Sequence, residues 1–331
     1  MPMPEARYVI AGKDLKTGVP GSDSADSDQY FELGWEVSTT YLQIAYGRKT
    51  GTFTDKDIIV TASGREFLYT SSFSTVIPYR EFWERRIDPA PVVDLVRSTN
   101  DLYFGDTWLR KLRLRRLYLK WFHFWRYRMR YSRVLRDLPM DASGKGQPIT
   151  DDFVCICIRF RDHQPQRNLP AEYLRSLLDA LSDKRCYLVG FGAEQLVSHA
   201  LHRVCSLAEF ATLVRHPRCT AVIGTMTGPV QLAQMIHPNR LVVIDLDDHY
   251  RQWSRLLPSV LSDLCNFARG RHSVYNYLPS VPQLLDDLAT PLPASRVTAE
   301  SYRQDPRFFD GEVRKGHAFF EHDRSESIAR V

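Results

Sequence analysis

Phe153-Val-Cys-Ile-Cys-Ile158 is an uninterrupted apolar strand that opens into a charged loop, Arg159-Phe-Arg-Asp-His-Gln-Pro-Gln-Arg-Asn168, and then into a helix from about Pro170 to Leu181. The order recurs downstream as strand Cys219-Thr-Ala-Val-Ile223, turn Gly224-Thr-Met-Thr-Gly-Pro229, a helix from about Val230 to Ile236 and strand Arg240-Leu-Val-Val-Ile-Asp245. Turns of this kind sit at the carboxyl ends of parallel strands, where open α/β sheets take their ligands. A helix that begins on Thr-x-Thr-Gly-Pro offers free backbone N–H groups and hydroxyls to an anion, phosphate above all. This half of the chain therefore reads as a binder of a nucleotide or a sugar phosphate.

Between the two rounds lie strand Arg185-Cys-Tyr-Leu-Val-Gly190, a short helix Ala193–Val197 and a helix Leu207–Val214. Helix Val281–Leu288 closes this half, and from Thr290 onward the sequence turns polar and Pro-rich, a C-terminal tail over 291–331. Upstream, Pro139-Met-Asp-Ala-Ser-Gly-Lys-Gly-Gln-Pro148 is a Gly/Pro/Ser stretch that marks the domain boundary, with the linker at 141–150. The N-terminal part reads as strand Arg7–Ala11, a Gly/Ser/Asp-rich loop, a helix from about Gln29 to Tyr46 ended by Gly47 and Gly51, and strand Asp57–Thr61. A short helix is expected within Gly64–Phe73, and Val76-Ile-Pro-Tyr continues the alternation. This rhythm predicts βαβ units and a parallel sheet here too. The expected organisation is thus α/β with two Rossmann-like domains and a central cleft: residues 1–140 for the acceptor and 151–290 for the donor.

Length agrees, since 331 residues exceed one ordinary core and suit two domains of roughly 150 each. An apolar content of 44% with 25% charged residues is that of a globular protein, and no run of eighteen apolar residues spans a bilayer. The N-terminus lacks the basic-then-apolar pattern of a secretory signal, so a cytoplasmic location is expected. The six cysteines all follow residue 150, form no Cys-x-x-Cys pair and have no His cluster at zinc spacing, which reads as buried, reduced thiols.

The net charge of +5 conceals an asymmetry: Thr107 to Arg136 holds eleven Lys/Arg and no carboxylate, interleaved with Trp108, Leu112, Tyr118, Trp121, Phe124 and Trp125. Three readings fit the helical segment 107–138. It would dock on an anionic membrane surface with Trp at the headgroups, stack and neutralise nucleic acid, or be a domain helix whose basic stems snorkel over the core. The membrane reading is preferred and nucleic acid is the least favoured.

The candidate site residues follow from charge and backbone chemistry. Arg159, Arg161 and Arg167 supply guanidinium forks suited to phosphate, with Asn168 and the neighbouring His163 in the same loop. Thr225, Thr227, Gly228, Pro229 and Gln231 supply the helix start. Gly190 and Gly192 would let a base or ribose approach the backbone. Such a set would stabilise a diphosphate leaving group without a metal or other cofactor. The run Asp245-Leu-Asp-Asp248 invites comparison with metal-binding Asp-x-Asp motifs, but it follows the last strand beside a cradle already assigned, so it reads as polar strand-end residues. For a base on the acceptor side, Asp14, Asp23, Asp26 and Asp28 lie in the first loop; Asp14 is the choice, and Asp28 is a natural helix cap.

The order of parts resembles the two-Rossmann-domain (GT-B) glycosyltransferases, and the second half resembles the donor-binding half of their heptosyltransferase-like members. Where those carry an Arg-x-Trp-Pro helix start, this chain has Arg167-Asn-Leu-Pro170. Where they carry Asp-Thr/Ser-Gly-Pro-x-His-x-Ala, it has Met226-Thr-Gly-Pro-Val-Gln-Leu-Ala233, departing at Met226 and Gln231. A looser similarity is to α-fucosyltransferases, whose His-x-Arg-Arg-x-Asp loop corresponds to Cys157-Ile-Arg-Phe-Arg-Asp162 at Arg159 and Asp162 alone. The resemblance implies transfer of a hexosyl or deoxyhexosyl group from a nucleotide-activated sugar to a glycan or lipid-linked acceptor. A sugar-nucleotide epimerase and a non-enzymatic basic binding protein on an inactive nucleotide fold are the alternatives.

Overall fold

The computed structural model describes residues 7–11, 33, 36–85, 92–94, 149–162, 165–236, 239–244, 246, 271–275, 277–290 and 302–303. The chain forms two compact units: Met1–Ile149 with Cys205–His216 and Thr227–Ile236, and Thr150–Val204 with Pro217–Met226 and His237–Val331. Asp14, Asp23, Asp26, Asp28, the basic segment 107–138, the linker 141–148, His163, Asp245, Asp247 and Asp248 lie outside the described residues.

In the first unit, strands β1 (Tyr8–Ile10), β2 (Ile58–Thr61), β3 (Val76–Pro78) and β4 (Val92–Asp94) form a parallel sheet in the order β3-β2-β1-β4. Its core joins Ile10, Val60, Ala62, Ile77, Tyr79 and Phe82. After β1 a π-helical turn, Glu36–Thr40, runs directly into α1 (Tyr41–Lys49). Gly47 does not stop this helix, as the sequence suggested. It lies inside it, and a Cβ there would stand 2.3 Å from the Phe53 ring, so glycine is needed for packing. The turn comes at Gly51, with φ +76°. Only Glu66–Leu68 is helical, as a 3-10 turn, within the stretch expected to hold a short helix, and α2 (Tyr79–Arg85) follows β3 where Pro78 had concealed it.

Glu36 is 1% exposed and carries a buried polar network. Its Oε2 accepts from Arg65 Nη1 at 2.9 Å, and its Oε1 accepts from the Tyr69 hydroxyl at 3.0 Å and from the Thr61 hydroxyl. Burial raises the Glu36 carboxyl above the usual range, against the opposing pull of Arg65 and the three hydrogen bonds. Helix α4 (Leu207–Arg215) is capped by Ser206, whose side chain accepts from the Glu209 N–H at 3.2 Å. Helix α5 (Gly228–Ile236) packs on the π-helical turn.

The second unit holds a seven-stranded parallel sheet. Its strands are β5 (Phe153–Arg159), β6 (Arg185–Phe191), β7 (His202–Val204), β8 (Cys219–Gly224), β9 (Arg240–Ile244), β10 (Arg271–Tyr275) and β11 (Tyr302–Arg303). Their order is β11-β10-β9-β8-β5-β6-β7. Read from β5, this is the doubly wound order of nucleotide-binding sheets, and the direction of winding reverses between β5 and β8. Every residue of β5 is buried, as befits a central parallel strand. Among the described residues, helices α3 (Ala171–Ala180) and α6 (Val281–Ala289) belong to this unit, and Leu174, Leu177, Leu178 and Leu284 enter a core with Ile156, Leu188, Ile223 and Val242. The five described cysteines, Cys155, Cys157, Cys186, Cys205 and Cys219, are buried thiols. Strand β11 falls in the stretch read from sequence as a polar tail, and β10 was not legible at all.

Two close contacts hold this sheet. Gly190 has φ +115°, and a Cβ there would stand 2.1 Å from the Ile158 carbonyl oxygen of the neighbouring strand. Gly190→Ala is therefore expected to destabilise the protein by at least about 1–3 kcal/mol from backbone strain alone, seen as a lower denaturant midpoint. At the amino end of β9, Arg240 pairs with Asp287 of α6 at 3.1 Å and donates to the Thr290 carbonyl at 2.8 Å. Tyr275 of β10 donates to the other Asp287 oxygen at 2.8 Å. Among the described residues no helix is long and apolar enough to cross a membrane.

Candidate functional site

The ends of β5, β6 and β8 gather the chemistry of the second unit at the point where the winding reverses. Arg159 is the last residue of β5 and is 7% exposed. Its guanidinium donates to Asn168 Oδ1. The Asn168 side chain also accepts from the Arg161 N–H at 3.4 Å and donates to the Arg161 carbonyl at 2.9 Å. One amide thus clasps the loop that leaves β5 and orients the Arg159 fork. The 3-10 turn Pro165–Arg167 delivers Arg167, whose guanidinium donates to the Met226 carbonyl in the turn after β8. Arg159, Asn168 and Arg167 were read from the sequence; what each one grips was not.

Thr225, first residue of that turn, is 2% exposed, and its hydroxyl has no hydrogen-bond partner among the described residues. Thr227, 8% exposed, likewise has a buried hydroxyl with no hydrogen-bond partner among the described residues. A buried hydroxyl without a partner costs about 1–3 kcal/mol, so two in one short turn need an explanation. Thr227 caps the start of α5 through its carbonyl, which accepts from the Gln231 N–H at 2.9 Å. Gly228, the first residue of α5, is where Leu33 packs: a Cβ there would meet the Leu33 Cβ at 2.7 Å. Pro229 and Gln231 are half-buried in the same helix.

At the end of β6 the glycines serve the sheet itself. The group that crowds Gly190 is the Ile158 carbonyl, and at Gly192, φ +80°, a Cβ would strike the Phe160 ring at 2.6 Å. At these glycines the chain itself comes close, Ile158 of β5 at Gly190 and Phe160 just after β5 at Gly192. Between the two glycines, Phe191 is 49% exposed, with the Arg161 guanidinium 4.3 Å from its ring centroid. Neither Phe191 nor the Met226 carbonyl was singled out from the sequence. An aromatic residue flanked by two glycines at a strand end was the available signal for the first.

No family model and no curated protein matches this chain. Among solved structures it is similar to the E. coli heptosyltransferase WaaC with ADP at 14% identity and TM-score 0.34, covering 72% of this chain and 87% of that one. It is similar to WaaC with ADP-2-deoxy-2-fluoro heptose at 14% identity and TM-score 0.36, over 72% and 88% of the two chains. The E. coli ADP-heptose lps heptosyltransferase II matches at 13% identity and TM-score 0.37, over 72% and 84%.

Proposed function

We propose that the chain is a glycosyltransferase that binds the diphosphate of a nucleotide-activated sugar at the ends of β5 and β8 and transfers the sugar to a glycan or lipid-linked acceptor. The reading rests on one observation above the rest: the buried, unpartnered hydroxyl of Thr225 at the reversal of a doubly wound sheet. Ligands of such sheets bind outside the carboxyl ends of the strands at this point. A phosphate oxygen would supply the acceptor that the hydroxyl lacks. Arg159 and Arg167, held by Asn168 and the Met226 carbonyl, would place cations beside it. Charge built up on a departing diphosphate would meet donors already in place, with no metal required by the proposal. Asp14 remains our candidate for the acceptor-side base, and the basic aromatic segment 107–136 our candidate for an anionic membrane contact.

Thr225→Val tests this directly, because the two roles of the hydroxyl have opposite signs. If it serves only a ligand, its removal leaves the melting temperature unchanged or raised, since an unsatisfied buried group is deleted. Diphosphate-containing ligands would then bind about ten-fold more weakly, the worth of roughly 1.4 kcal/mol. A thermal-shift screen over UDP-, GDP- and ADP-sugars, with CMP-sugars as the monophosphate comparison, identifies the donor first, by the stabilisation that a native-state ligand confers. Thr225→Val with undiminished donor binding would refute the site.

A further inference from the structure

We propose that Arg161 and Phe191 form the stacking platform for the nucleobase of that donor. The inference rests on the diphosphate reading above and extends it to the part of the ligand that carries no charge.

Phe191 ends β6 and stands in register with Arg159, the last residue of β5. Its backbone carbonyl accepts from the Phe160 N–H at 3.0 Å, so the strand is tied to β5 up to the position of the ring. On the other side of β5, Cys157 is in register with Gly224, the last residue of β8. The ring is therefore carried one strand from Arg159 and two strands from the Thr225 turn, about 10 Å at the usual strand spacing. That is the scale of a ribose and its phosphates, with the base at one end and the anion at the other.

The ring's exposure is the second observation. The other large hydrophobics exposed among the described residues are Val197, Leu201 and Leu278, which are aliphatic. Phe191 alone of these offers a π face, and it does so at the ligand-binding edge of the sheet. The Arg161 guanidinium already lies over it at 4.3 Å, a planar cation that stacks on aromatic rings and on bases alike. Gly190 and Gly192, both in left-handed backbone conformations, fix where the residue between them stands. A base laid against this pair would cover apolar surface now left in water and would be read by stacking, which every base permits.

The test compares ADP, UDP and inorganic pyrophosphate by titration calorimetry on the full chain, in the wild type, Phe191→Ala and Phe191→Trp. Thermal melts accompany each variant, and a half-exposed ring should be removable without unfolding. The expected result is a loss of about ten-fold or more in ADP and UDP affinity in Phe191→Ala, within the worth of one base-on-aromatic stack. Pyrophosphate affinity should stay unchanged, and Phe191→Trp should bind nucleotides at least as well as the wild type. Equal loss for nucleotide and pyrophosphate, or no loss in Phe191→Ala, would overturn the platform and leave the diphosphate site standing. A wild type that binds neither nucleotide nor pyrophosphate would remove both readings.

Discussion

Glu36→Ala is expected to destabilise the first unit by about 3–5 kcal/mol, because it removes the carboxylate that faces the buried Arg65 guanidinium. Both partners are buried, Glu36 at 1% and Arg65 at 8% exposure, so solvent cannot take over the charge. The Thr61 and Tyr69 hydroxyls would lose the same acceptor. The double variant Glu36→Gln/Arg65→Met separates charge from shape. It keeps an acceptor for the two hydroxyls and replaces the cation by an apolar stem, so it should recover at least half of the loss in urea unfolding. If the double variant falls further than Glu36→Ala, the charge pair is not what the site depends on.

The pH dependence of this carboxyl has a definite sign. Its folded-state pKa is raised, chiefly by burial, so between the ordinary carboxylate value and the folded value the native state holds more protons than the unfolded one. Its linkage contribution to stability therefore grows as pH falls through the folded value and is lost as pH rises through it. Glu36→Gln lacks the titration, so the stability gap between wild type and variant should widen on acidification from neutral pH. A gap that narrows would mean that Arg65 and the hydroxyl donors outweigh the burial.

The same group shows where sequence reading stops. Glu36 lies in the stretch read as a helix from about Gln29 to Tyr46, and nothing local singled it out. Its partners Thr61, Arg65 and Tyr69 are 25, 29 and 33 residues away. Contacts at that separation are set by how strands stack and leave no mark on local pattern. Strand β5 was legible because Phe153–Ile158 is an unbroken apolar run; its seventh residue, Arg159, read as the start of the loop. Strand β10 was not, since Arg271-His-Ser-Val-Tyr275 has a polar start and draws its stability from pairing with β9. Arg159 and Arg167 announced themselves as cations just beyond an apolar strand. The carbonyl that Arg167 grips lies 59 residues on, at Met226, and only the sheet order brings it there.

Asp287→Ala is expected to cost about 3–5 kcal/mol, through the same physics of a buried pair broken on one side. Arg240 and Asp287 are 5% and 8% exposed, and Arg240 also donates to the Leu288 and Thr290 carbonyls at the end of α6. Losing the carboxylate removes this counter-ion from the buried Arg240 and this acceptor from the Tyr275 hydroxyl, loosening α6 from β9 and β10 together. Hydrogen exchange should show this as faster exchange confined first to 240–244, 271–275 and 281–289. Arg240 stands at the amino end of β9, and neither it nor Asp287 belongs to the turns after β5 and β8 where the diphosphate site is proposed. Asp287→Ala should therefore lower the melting temperature and leave ligand affinity unchanged at temperatures where the protein is folded. Thr225→Val should do the reverse, weakening the ligand and sparing the fold. Such a crossed pair of outcomes would separate the residues that hold the sheet from those that use it; a Thr225→Val variant that unfolds as readily as Asp287→Ala would assign that hydroxyl to the fold instead.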